Sequence, residues 1–88
     1  MNGSAMTFDQ WIDSVNDNLH GRLGDQVRTT ELSWDSAMWV GKRGTAVAAL
    51  QDNERTVTVE FDGGERVSIG YADALPETVA STIAAHLA

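Results

Sequence analysis

The stretch Thr56–Gly70, TVTVEFDGGERVSIG, constrains the fold of this chain more than any other. Two runs of alternating apolar and polar residues flank an Asp-Gly-Gly turn, the pattern of a β-hairpin. A two-residue Gly63-Gly64 loop would pair Val59 with Ser68 and Glu60 with Val67, mixing apolar and polar residues on each face. A three-residue loop, Asp62-Gly63-Gly64, pairs Val59 with Val67 and Val57 with Ile69 on one face. On the other face it pairs Thr58 with Ser68 and Glu60 with Arg66. Both faces are then self-consistent, and Gly64 takes the left-handed position that this loop requires. A slip of one residue would turn Val57, Val59 and Phe61 to water, so the register is strongly specified.

The same two-residue period runs upstream. The segments GDQVRTTELSW (with Val27, Leu32 and Trp34), GTAVAALQ, RTVTVEF and ERVSIGY are bounded by turn residues, predicting four to five strands over about residues 24–72. Before them, Thr7-Phe8-Asp9-Gln10 has the form of a capping box, with Asp9 suited to the positive end of a helix. Phe8, Trp11, Ile12, Val15 and Leu19 follow at helical spacing, and Gly21 and Gly24 are stop signals, placing a helix at about 7–20. After the strands, Pro76 and Glu77 open a helix at about 76–87 whose stripe is Val79, Ile83 and Leu87. The expected fold is α+β: an N-terminal helix, a four- to five-stranded antiparallel meander or small barrel, and a C-terminal helix. Its core is expected from Trp11, Ile12, Val15, Leu19, Val57, Val59, Phe61, Val67, Ile69, Val79, Ile83 and Leu87.

Eighty-eight residues make one domain, here 7–88 behind a short polar leader at 1–6, and so short a chain has a thin core with no deep substrate cavity. The absence of cysteine excludes disulfides, thiolate metal sites and a cysteine nucleophile. No apolar run is long enough to cross a bilayer and no signal peptide is visible, so a cytoplasmic location without membrane partners is the default expectation. The formal charge is -7, from thirteen acidic and six basic residues. Only residues 27–44 escape the negative field, with Arg28, Lys42 and Arg43 against Glu31 and Asp35.

GDQVR, GKRGTAVAAL and TVTVEFDGGERVSIG, read together with Leu75, resemble the small SH3-like barrels of the KOW and Tudor kind. The resemblance covers about residues 24–75 and leaves both helices outside. It implies a five-stranded, highly curved sheet whose loops bind RNA, DNA, methylated side chains or protein segments, and it implies no catalysis.

Four groups of residues are candidates for function. The loop Gly41-Lys42-Arg43-Gly44, with Arg28, offers phosphate contacts, although it lacks P-loop spacing and also reads as a turn with solvated cations. Carboxylates farther than about 8 Å are largely screened at physiological salt, so a local basic patch could act within an acidic protein. Trp34 and Trp39 are expected to divide, one into the core and one to the surface as a stacking or interface residue. Asp9, Asp13 and Asp17 recur about 6 Å apart along one helix face, either solubilising it or meeting a basic partner in the manner of DNA phosphates. His20 and His86 lack companions at ligand spacing, and no nucleophile elbow is present, so no metal, cofactor or catalytic residue is assigned.

The function expected is a non-enzymatic protein-interaction module, an adaptor or inhibitor with an acidic surface for a basic protein partner. The alternatives are a KOW-like nucleic-acid binder acting through Arg28, Trp39, Lys42 and Arg43, and a phage-type inhibitor that mimics DNA. Homodimerisation is compatible with either class.

Overall fold

The computed structural model describes residues 7–52, 55–71 and 74–88. The leader at 1–6 lies outside the described residues. The order is helix α1 (Phe8–Leu23), a 3-10 turn (Gly24–Gln26), strands β1 (Arg28–Ser33), β2 (Ser36–Val40), β3 (Thr45–Leu50), β4 (Thr56–Phe61) and β5 (Arg66–Gly70), and helix α2 (Pro76–Leu87).

α1 starts as its capping box dictates: Gln10 N–H donates to Thr7 Oγ1, and Thr7 N–H donates to Gln10 Oε1. Phe8, Trp11, Val15 and Leu19 are buried. The helix continues past Gly21, which lies on the exposed side with open space around it. Leu23 packs partly against the core, and the helix stops at Gly24, whose φ of +57° is the conformation glycine favours. α2 begins with Pro76 in its first turn and buries Val79, Ala80, Ile83, Ala84 and Leu87.

The strands form one antiparallel sheet in chain order, β1-β2-β3-β4-β5. The β4–β5 register is the one the alternation specifies, pairing Val57 with Ile69, Thr58 with Ser68, Val59 with Val67 and Glu60 with Arg66. Gly63 and Gly64 both have positive φ (+89° and +91°), and Phe61 N–H donates to Glu65 O at 2.8 Å across the turn. Between β1 and β2 the register shifts after Glu31↔Ala37, leaving Leu32 in the irregular step before Ser33↔Ser36. Of the two forms expected, meander and small barrel, the chain adopts the open meander, with β1 and β5 as edges.

Both helices bury their apolar stripes with one face of the sheet. That face presents Ala37, Trp39, Ala46, Ala48, Val57, Val59 and Phe61, and alanine at three of these positions leaves room for the bulk of Trp11 and Trp39. Both indoles find partners: Trp39 Nε1 donates to Asn16 Oδ1 (3.3 Å) and Trp11 Nε1 to the Ala74 carbonyl (3.2 Å). Thr29 on β1 donates its hydroxyl hydrogen to Asn16 and meets His20 Nε2 at 3.1 Å, so α1 is tied to the β1 edge. Three residues expected in the core are less covered: Ile12 and Ile69 are half-buried, and Val67 is 37% exposed. The physical reason at β5 is the composition of α2, whose Thr78 and Thr82, rather than larger apolar residues, line the cavity beside Val67 and Ile69 and leave the last strand half open.

Candidate interaction surfaces

The backbone of β5 can be assigned side by side with its neighbour. Phe61 N–H donates to Glu65 O and Tyr71 N–H to Arg55 O, so in an antiparallel ladder the backbone groups of residues 65, 67, 69 and 71 face β4. Those of Arg66, Ser68 and Gly70 therefore point out of the sheet. The Gly70 carbonyl accepts from Ala74 N–H at 3.1 Å. The N–H and C=O groups of Arg66 and Ser68 have no backbone partner among the described residues and form a short free edge.

Beside that edge, on the helix side, lies a concavity of about 250 Å³ between β4, β5 and α2. Its floor is Val59, Phe61, Val67 and Ile69, and its far wall is Thr78, Val79, Thr82 and Ile83. Leu75, 62% exposed, is the N-cap of α2, with extended backbone. Among the described residues, no ionisable side chain lines the cavity. At one end His86 stacks on Phe61 with centroids 3.9 Å apart, and its Nε2 lies 3.6 Å from Glu65 Oε1. On the outer face Arg66 meets Glu60 at 3.7 Å. Arg66 beside the edge is thus already matched by a carboxylate of the same chain.

The basic segment gathers at one end of the sheet. Arg28 pairs across the strands with Val40, and Arg28 and Lys42 border one shallow depression together with Asp25, Gln26 and Gly41. Lys42 and Arg43 are exposed. The two glycines around them have structural reasons. A Cβ on Gly41 would sit 2.6 Å from both Cβ and O of Leu87, and Arg43 N–H donates to the Leu87 carbonyl at 3.0 Å. The loop therefore holds the end of α2, satisfying one of its terminal carbonyls. At Gly44 the constraint is a close approach, since its φ is not positive. An added Cβ would lie 2.9 Å from Asp62 Oδ2, and that carboxylate already accepts from Thr45 N–H at 3.2 Å and from the Thr45 hydroxyl.

Trp39 is fully buried and Trp34 is 71% exposed. Trp39 therefore cannot serve as the stacking partner of the basic loop without leaving the core, and Trp34 lies at the opposite end of β1 from Arg28. Leu32, 51% exposed, accompanies Trp34 at that tip. Asp9, Asp13 and Asp17 are exposed along α1, with Asp13 bordering a shallow site formed with Ile12, Asn16, Thr29 and Ala37. The residues singled out from sequence are thus distributed over three places: the basic end, the Trp34 tip and the acidic helix face. The β5–α2 groove was not among them. Its signal is the pair Thr78 and Thr82 at core-adjacent helical positions facing a strand with apolar residues at 67 and 69.

Among the described residues, no three His, Asp or Glu side chains gather to hold a metal, and no helix is long and apolar enough to cross a membrane. Comparison with protein-family models, curated proteins and solved structures finds no match in any of the three.

Proposed function

We propose that this chain is a protein-binding module without catalytic chemistry of its own, an adaptor or inhibitor whose acidic body meets a basic protein partner. The observation that carries this reading is the character of its apolar concavity: lined by aliphatic, aromatic and threonine side chains, open to the surface, and bordered by a strand edge. Acid–base or nucleophilic catalysis needs ionisable groups aimed into a cavity, and the described residues of this lining supply none. Exposed apolar surface rimmed by polar residues is what protein recognition uses. The -7 charge and the exposed row Asp9, Asp13 and Asp17 favour a partner of opposite sign and accelerate its encounter.

The nucleic-acid reading rests on the convergence of Arg28, Lys42 and Arg43 at one end of the sheet. It is the weaker of the two. Three cations provide few phosphate contacts, and the aromatic once paired with them, Trp39, belongs to the core.

The two readings separate on one experiment: affinity capture of the tagged chain from its host extract, with and without nuclease, followed by mass spectrometry. A defined protein retained after nuclease treatment is the expected result. Loss of the captured material on nuclease treatment would transfer the function to nucleic acid.

A further inference from the structure

We infer that the β5–α2 groove takes an extended segment of the partner protein, apolar at alternate positions and flanked by basic residues, which adds to β5 as a sixth strand. This inference rests on the protein-binding reading above and identifies the surface and the chemistry of its ligand.

Three observations converge on it. The outward N–H and C=O groups of Arg66 and Ser68 require an extended backbone to satisfy them, because only a strand presents donors and acceptors at matching spacing. The alternation of β5 then continues into the ligand. Residues neighbouring Val67 and Ile69 on the same face point into the groove against Thr78 and Thr82, and those between point to the outer face beside Arg66 and Ser68. The third observation is charge. The chain carries -7, the described residues lining the groove carry no charge, and Arg66 on the outer face of β5 already lies against Glu60. A segment with flanking lysines or arginines is drawn by the net field instead.

A second copy of the chain fits the groove less well. Antiparallel pairing of β5 about Ser68 would set Arg66 against Gly70 of the other copy, where the carbonyl already accepts from Ala74. It would also bring two bodies of charge -7 together.

The test uses the whole chain, ¹⁵N-labelled, titrated with the peptide acetyl-KKTVTVTKK-amide and with its acidic counterpart acetyl-EETVTVTEE-amide. The basic peptide is expected to bind more tightly, to shift the amides of Arg66, Ser68, Ile69, Thr78 and Thr82, and to slow exchange of the Ser68 amide. Ser68→Pro removes an outward donor while leaving the β4 ladder intact, since edge positions tolerate proline. It is expected to weaken binding about tenfold, the loss of roughly one edge hydrogen bond. Thr82→Lys, at the solvent-accessible wall of the groove on α2, is the second variant and should weaken the basic peptide without touching the strand. Thermal melts confirm that both variants fold. Equal affinity of Ser68→Pro, Thr82→Lys and the parent chain would overturn the inference, as would shifts confined to Asp9–Asp17 or to Lys42 and Arg43. A concentration-dependent dimer whose shifts map to β5 would also overturn it, assigning the groove to a second copy. If the peptides miss the groove but nuclease-resistant protein capture persists, the module reading stands and only the groove assignment falls.

Discussion

Trp34 and Trp39 are five residues apart in sequence and at opposite extremes of burial, 71% and 0% exposed. The sequence around them, SAMWV, has apolar residues on both parities, Ala37 and Trp39 against Met38 and Val40, so alternation alone does not select the inner face. The cross-strand partners select it, because Trp39 lies opposite Ala46, which lies opposite Phe61. Trp39→Ala is expected to cost about 3–5 kcal/mol through the cavity it leaves. Trp34→Ala should change stability by less than about 0.5 kcal/mol. Urea unfolding of the two variants checks both, and similar losses would contradict the assigned burial. Gly41 is the other sensitive position. Gly41→Ala drives a methyl into the end of α2 at Leu87 and should destabilise by about 1–3 kcal/mol, whereas Gly21→Ala, in open space on α1, should stabilise by about 0.5–1 kcal/mol. Paired thermal melts read the opposite signs.

At the scale of elements, α1 is set by its first four residues and its stripe, and Thr7→Ala should cost about 1 kcal/mol by leaving the Gln10 N–H without its acceptor. Circular dichroism melts monitor that loss. The β4–β5 hairpin was legible to the residue, because glycine at 63 and 64 and strict alternation on both sides leave one self-consistent register. α2 was legible in its bounds, Pro76–Leu87. The end of α1 was not, since a glycine on the exposed side of a helix can be carried through when the next apolar residue, here Leu23, has core to reach. The half-covered state of β5 was not legible either. Val67 and Ile69 alternate as a buried strand would, and their exposure depends on the side chains of a helix distant in sequence, where Thr78 and Thr82 stand in place of larger apolar residues. For the same reason the candidate site escaped the sequence: a groove is made by two elements, each ordinary by itself. The charged residues singled out are where the sequence put them, exposed, but they occupy separate surfaces and form no single constellation.

For the whole molecule, an open five-stranded sheet with two helices on one side leaves two edges, and they differ. β1 is tied to α1 through Thr29, Asn16 and His20, while β5 has backbone groups without a backbone partner among the described residues and an apolar groove beside it. The Lys42-Arg43 loop, in turn, serves as a clasp on the end of α2 with its side chains in solvent. Lys42→Glu with Arg43→Glu should therefore leave partner capture unchanged and stability within about 0.5 kcal/mol, whereas a binder working through this loop would lose association rate and salt dependence. The most direct test of the whole account is amide hydrogen exchange of the captured complex against the free chain. Binding at the β5 edge predicts new protection at Arg66 and Ser68, with the loop at Lys42 and Arg43 and the α1 face at Asp9, Asp13 and Asp17 exchanging as before. Unchanged exchange at Arg66 and Ser68, with protection appearing at the loop or along α1, would contradict it.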